Sequence, residues 1–216
     1  MSAHLTKLLV ERDPRAHGTI AGVVVGTVTN NHDDAGLNRV KVKLPWLSEG
    51  DESPWARVAS PMAGNGRGLF FLPEVGDEVL VMFERGDARF PYVIGSLWNG
   101  KDKAPGSNAD GKNHLRVIRS RSGHVIRFND EPRNEKFEIL DASGKNSVLI
   151  DTAQNTIAIR SEKDIALAAP NGKITISAQT VDIHATGNGT LTTDGKMTVQ
   201  ASNDLAVRGK TVNINC

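Results

Sequence analysis

Large rings are missing from the end of this chain. All ten aromatic residues lie between Trp46 and Phe137, and Glu138 to Cys216 contain no Phe, Trp or Tyr. Proline follows the same divide, because only Pro170 of the nine lies beyond residue 137. Aromatic side chains supply much of the volume of an ordinary core, so the C-terminal part is not an ordinary globular domain. Cysteine is nearly absent. The single Cys216 excludes an intrachain disulfide and any metal site built from paired cysteines. Neither a secretory h-region nor an apolar run long enough to span a bilayer occurs, so synthesis in the cytoplasm without the usual export signal is expected. A net charge of +1 argues against strong non-specific attraction to phosphate backbones.

What remains divides into two physical objects. Residues 1–19 read as an N-terminal arm with an apolar patch, Leu5, Leu8, Leu9 and Val10. From 20 to 100 the pattern is that of a small β-barrel. IAGVVVGTV is a bent strand, and NNHDDAGLN is a loop. RVKVKLPW buries one face and turns Arg39, Lys41 and Lys43 outward. WARVASPM is a strand closed by Pro61, and GNGRG reads as a flexible loop. LFFLPEVGDEVLVMF reads as strand, turn and strand, and FPYVIGSLWNG is the last strand. Pro73, Gly76, Asp77, Gly86 and Asp87 serve as turn formers. Five or six short strands in about 80 residues, without a helix, indicate a small barrel or sandwich. Residues 101–113 read as a linker, and 114–216 as strands and tight turns.

From about residue 147 a short motif recurs: SVLIDTAQ, NTIAIRSEK, DIALAAPNG, KITISAQT, VDIHATGNG, a weaker TLTTDGKM, TVQASND, LAVRGKT and VNINC. The period is about eight, and such self-similarity marks a solenoid or β-helical architecture. The units offer apolar pairs at i and i+2: Val148/Ile150, Ile157/Ile159, Ile165/Leu167, Ile174/Ile176, Val181/Ile183, Leu205/Val207 and Val212/Ile214. One such stripe is too thin to pack on itself, and its strand edges need partners. Several copies must wrap a common axis, and three is the smallest number that closes a tube. Small β-branched residues suit an axis where each side chain arrives three times. The expectation is therefore an intertwined triple-stranded β-helix in a homotrimer, with those residues as its core. Six Lys/Arg and six Asp/Glu are interspersed from Ser147 to Cys216, as a solvated exterior requires.

Candidate chemistry is sparse. His124, His114 and His184 have no positioned partner in the pattern and read as surface residues. Trp46, Trp55, Phe70, Phe71 and Trp98 resemble a stacking platform in kind, but strand-end and adjacent placement favours packing, with at least one of Phe70 and Phe71 in the core. Arg116, Arg119, Arg121 and Arg127 are followed closely by acids and read as a solvated strand face. Cys216 falls on the inward face by alternation, so three thiols would meet at the tip, as a cap or a metal ligand set. No catalytic residue or cofactor is expected.

The stretches RVKVKLPW, WARVASPMAGNGRGLFFLPEVGDEVLVMF, ERGD and FPYVIGSLWNG, in that order, resemble the phage baseplate assembly protein V family, which is similar to the corresponding part of type VI secretion valine-glycine repeat spikes. SRSGHVIRFND resembles the opening of that family's triple-stranded β-helix. The resemblance implies an oligonucleotide/oligosaccharide-binding (OB) barrel followed by a trimeric needle, the central spike of a contractile tail or injection system. It implies assembly in the bacterial cytoplasm, a baseplate hub partner, a PAAR-type tip protein, and contact with a target membrane only on firing. About 20 residues precede the barrel and no lysozyme-like insertion follows it, so the hub is expected from another protein. The end TVNINC lacks the His-x-His of metal-tipped spikes, which favours a separate tip protein docking on Val212, Asn213, Ile214, Asn215 and Cys216. Leu5, Leu8, Leu9 and Val10 would face the hub. The alternatives are a nucleic-acid-binding OB-fold protein with a trimerising β tail and, last, a glycan hydrolase, which needs a carboxylate pair across a cleft.

Overall fold

The computed structural model describes residues 20–46, 50 and 52–214. The leucine patch of the arm, Leu5, Leu8, Leu9 and Val10, lies outside them, as do Asn215 and Cys216. Two units divide the chain at Ile165/Ala166.

The first unit opens with a five-stranded sheet ordered β2-β1-β6-β7-β3. Its members are β1 (Val24–Asn30), β2 (Lys41–Lys43), β3 (Arg57–Val58), β6 (Glu78–Phe83) and β7 (Pro91–Leu97). β3 runs parallel to β7, whereas the other pairs are antiparallel. The two ends of the sheet meet where Val40 and Ala56 exchange backbone hydrogen bonds of 3.0 and 2.7 Å. That closure makes a barrel and removes the free edges. Alternation decides what fills it: Val40, Val42 and Leu44 point in, as do Val79, Val81 and Phe83, with Val28, Ala56 and Val93. The interior is narrow, so valine dominates. Register shifts at Val28/Asn30 and Leu80/Val81 bend β1 and β6 around the closure. Gly26 sits at the tightest approach, where a Cβ would lie 3.0 Å from both the Leu44 side chain and the Lys43 carbonyl oxygen.

Turn chemistry follows the sequence. Gly76 adopts φ +99°, its N–H bonds the Val28 carbonyl oxygen (2.8 Å), and the Asp77 carboxylate caps the Glu74 N–H (2.9 Å). GNGRG departs from expectation. It is not a loose loop but the tip of a hairpin of β4 (Ala63–Gly64) and β5 (Arg67–Gly68), turned by Asn65-Gly66. An Asn-Gly pair favours the tight turns that match strand twist. LFFL is likewise no strand. Leu72 packs against the barrel core, while Phe70 and Phe71 are 71% and 67% exposed. The expectation that one of the two fills the core fails, because β6 already supplies Phe83 there.

After residues 101–113, which contain no strand, a second sheet follows as a simple meander in the order β12-β11-β10-β9-β8. Its strands are β8 (Leu115–Arg119), β9 (Val125–Asn129), β10 (Lys136–Leu140), β11 (Ser147–Asp151) and β12 (Thr156–Arg160), all antiparallel. The first two repeat units are thus β11 and β12, hairpinned within one chain. The turn between them holds Asn155 at φ +55° and is capped by the Asp151 carboxylate on the Gln154 N–H (2.9 Å).

The second unit, 166–214 among the described residues, carries no assigned helix or strand. Every one of its described residues is exposed.

Candidate functional site

The meander's register builds a face. Two rows of directly opposed residues cross all five strands: Ile118, Ile126, Ile139, Val148 and Ile159, and beside them Arg116, Phe128, Phe137, Ile150 and Ile157. Residues two apart share a side of a strand, so both rows lie on the same side. Nine of these ten are apolar, and Phe128 and Phe137 stack with ring centroids 4.8 Å apart. The opposite side carries ion pairs, Arg127–Glu138 (2.7 Å) and Lys136–Asp151 (3.7 Å). Yet the sheet buries no hydrophobic residue in the single chain. The side with the two rows is the more apolar one, because the other mixes Leu115, Val117, Val125, Leu140 and Leu149 with its charges, and exposed apolar faces of this kind mark interaction surfaces. Val148, Ile150, Ile157 and Ile159, expected in the trimer core, all fall on this side.

The remaining expected core residues, Ile165, Leu167, Ile174, Ile176, Val181, Ile183, Leu205, Val207 and Ile214, are all exposed, Ile183 to 88%. Sequence reasoning left out Leu191 and the pair Met197/Val199, also exposed. Their signal was the same i, i+2 alternation, obscured where the unit spacing stretches and then shortens. Backbone in this segment is nearly unpaired. Among the described residues 166–214, the Gly172 N–H donates to the Ala169 carbonyl oxygen (3.1 Å) and the Gly195 N–H to the Thr193 hydroxyl oxygen (3.3 Å). Backbone donors and acceptors left without partners call for them in an assembly.

A second surface feature sits on the barrel. The β4–β5 hairpin and the following Leu69–Leu72 segment bound an open groove of ≈ 700 Å³, lined also by Leu37, Arg57 and Val58. Its exposed aromatics are Phe70 and Phe71. Of the other platform candidates, Trp46 and Trp98 are exposed, and Trp55 is half-buried beneath Arg39 and Lys41, whose charged groups lie 5.7 and 5.4 Å from the ring centre.

Polar groups are largely committed to structure. Arg39 grips Asp33 through two hydrogen bonds (2.7 and 2.9 Å), which holds that carboxyl far below its usual range. Arg89 does the same to Asp87, whose pKa falls to about 2. Asp141 is lowered to about 2 by the Ser143 hydroxyl and by Asn146 in the β10–β11 turn. Arg116 pairs with Asp130 (2.6 Å) and Arg127 with Glu138. Arg121 pairs with Glu74 (3.2 Å), which ties the β8–β9 turn to the Pro73–Asp77 turn of the barrel. The His124 N–H donates to the Ser120 hydroxyl oxygen (3.0 Å) within an exposed turn. No group of three or more His, Cys, Asp or Glu side chains suited to a metal ion occurs among the described residues.

The barrel's relatives decide its kind. Residues 24–98 match the type VI secretion system/phage-baseplate injector OB domain. That match covers the barrel and about a third of the chain. The match begins at β1 and ends just past β7, so the injector OB domain coincides with the closed sheet. Among curated relatives, the type VI secretion system spike protein VgrG4b of Pseudomonas aeruginosa is 38% identical over 43% of this chain and 12% of its own length. The spike protein VgrG3 of Vibrio cholerae is 29% identical over 68% of this chain and 14% of its own. The actin cross-linking toxin VgrG1 of Vibrio cholerae is 25% identical over 87% of this chain and 17% of its own. The chain thus spans less than a fifth of the length of these relatives. At 87% of this chain, the similarity to the last necessarily runs past the injector OB domain and the meander.

Proposed function

We propose that this chain is the homotrimeric central spike of a contractile tail or contractile injection system. One observation carries the reading: the meander has an exposed apolar face and the repeat after it has exposed apolar pairs, in a chain whose barrel resembles the injector OB domain. Three copies provide that cover. Their meander faces pack against one another, and the segments 166–214 pair strand to strand between chains as a triple-stranded β-helix. Function then rests on stiffness and on two docking ends, not on a chemical step. The assembled needle pierces the target envelope when the sheath contracts. A baseplate hub meets the chain on the side of the arm, residues 5–10, and a PAAR-type tip protein meets Val212, Asn213, Ile214 and the last two residues. Assembly takes place in the bacterial cytoplasm, and among the described residues no helix is long and apolar enough to cross a membrane. Of the four arginines Arg116, Arg119, Arg121 and Arg127, three hold carboxylates, which supports this reading over nucleic-acid binding.

The test is genetic. Cells producing the parent particle but lacking this chain should yield no complete, contractile particles, and a chain cut after Ile165 should not restore them. Normal particles from either strain would overturn the proposal.

A further inference from the structure

We infer that Thr193 is the register-setting residue of the needle, a single polar layer in an otherwise apolar axis. This rests on the trimeric reading above. Nine i, i+2 pairs run from Val148/Ile150 to Val212/Ile214 once Leu191/Thr193 and Met197/Val199 are included. Seventeen of those eighteen positions hold Val, Ile, Leu or Met, and the exception is Thr193. Near-identical units create a hazard: a chain slipped by one unit still puts apolar residues against apolar residues. A polar residue at one core layer removes that degeneracy, as a lone buried Asn does in coiled coils. Threonine suits the task at a threefold axis. Its hydroxyl is both donor and acceptor, so three copies close a ring of hydrogen bonds only when they lie at the same level. In the single chain the Thr193 oxygen accepts from the Gly195 N–H, while its own proton has no acceptor among the described residues. Slippage by one unit would set that proton against Ile183 or Val199 of the neighbouring units, where it is unsatisfied.

The experiment places a spin label on Gln200→Cys in a Cys216→Ser background of the full chain and measures inter-chain distances after unfolding and refolding. The parent should give one narrow distance. Thr193→Val should form trimers with a broadened distribution that contains components displaced by about one repeat unit, and Thr193→Ser should restore the narrow peak. Equally narrow peaks for Thr193→Val and the parent would overturn the inference. If the parent gives no inter-chain distance, the trimeric reading itself fails, a result separable from the first.

Discussion

The ring of Phe137 lies against that of Phe128 on the neighbouring strand, 4.8 Å between centres, on the uncovered side of the meander. These are the last two aromatics of the chain, and aliphatic rows continue the same face to β12. If the face is a contact between copies, a charge there should break the assembly while sparing the barrel. Ile150→Lys or Phe128→Asp should convert trimers to single chains by sedimentation, with the far-ultraviolet spectrum of the barrel retained. Lys145→Ala, in the β10–β11 turn, should leave the trimer intact.

Removing 166–216 separates the two units. The meander is hydrogen-bonded within the chain and the barrel is closed, so the truncated protein should stay folded, with slow amide exchange in β1, β6, β7 and β9–β11. It should lose the detergent-resistant trimer. A truncated form that still runs as a trimer in detergent would assign the holding contacts to the first unit alone.

The hairpin beside the groove depends on Gly68. Its φ is +145°, and a Cβ there would stand 2.3 Å from the Met62 carbonyl oxygen, which backbone cannot yield cheaply. Gly68→Ala should open the β4–β5 hairpin and expose 62–69 to protease. It should lower stability by about 1–3 kcal/mol, the usual range for strain at such positions. Gly66→Ala, with open space around it but φ +65°, should do less.

Asp141 predicts an acid response. Its folded pKa of about 2 lies below the ordinary 3.8. Its hydrogen bonds to Ser143 and Asn146 therefore stabilise the β10–β11 turn fully above pH 3.8 and lose that effect as pH falls through about 2. The difference in Tm between the parent and Asp141→Ala should be constant from pH 5 to 7 and shrink between pH 4 and 2. A pH-independent difference would show that the carboxylate charge is not what matters.

Much of this was legible from residues alone. Alternation in RVKVKLPW implies one buried face, and the structure fills it with Val40, Val42 and Leu44, because period two leaves little choice of face. Arg39, Lys41 and Lys43 fell on the other side for the same reason. Glycine-rich composition reads as looseness in GNGRG, yet Asn65-Gly66 turns the β4–β5 hairpin there. Phe70 and Phe71 stay exposed against expectation, because hydrophobicity shows that a side chain avoids water, not which surface it will meet. The pairing of β11 with β12 inside one chain was hidden for another reason. Their sequences match the later repeat units, and only the turn at Asn155 separates a hairpin from a strand that seeks a neighbour.

The most direct check is sedimentation of the full chain at micromolar concentration, combined with hydrogen exchange across 166–214. The account predicts the mass of three chains and protected amides in that segment, lost together on dilution or heating. A single chain in solution whose 166–214 amides are nonetheless protected would contradict it.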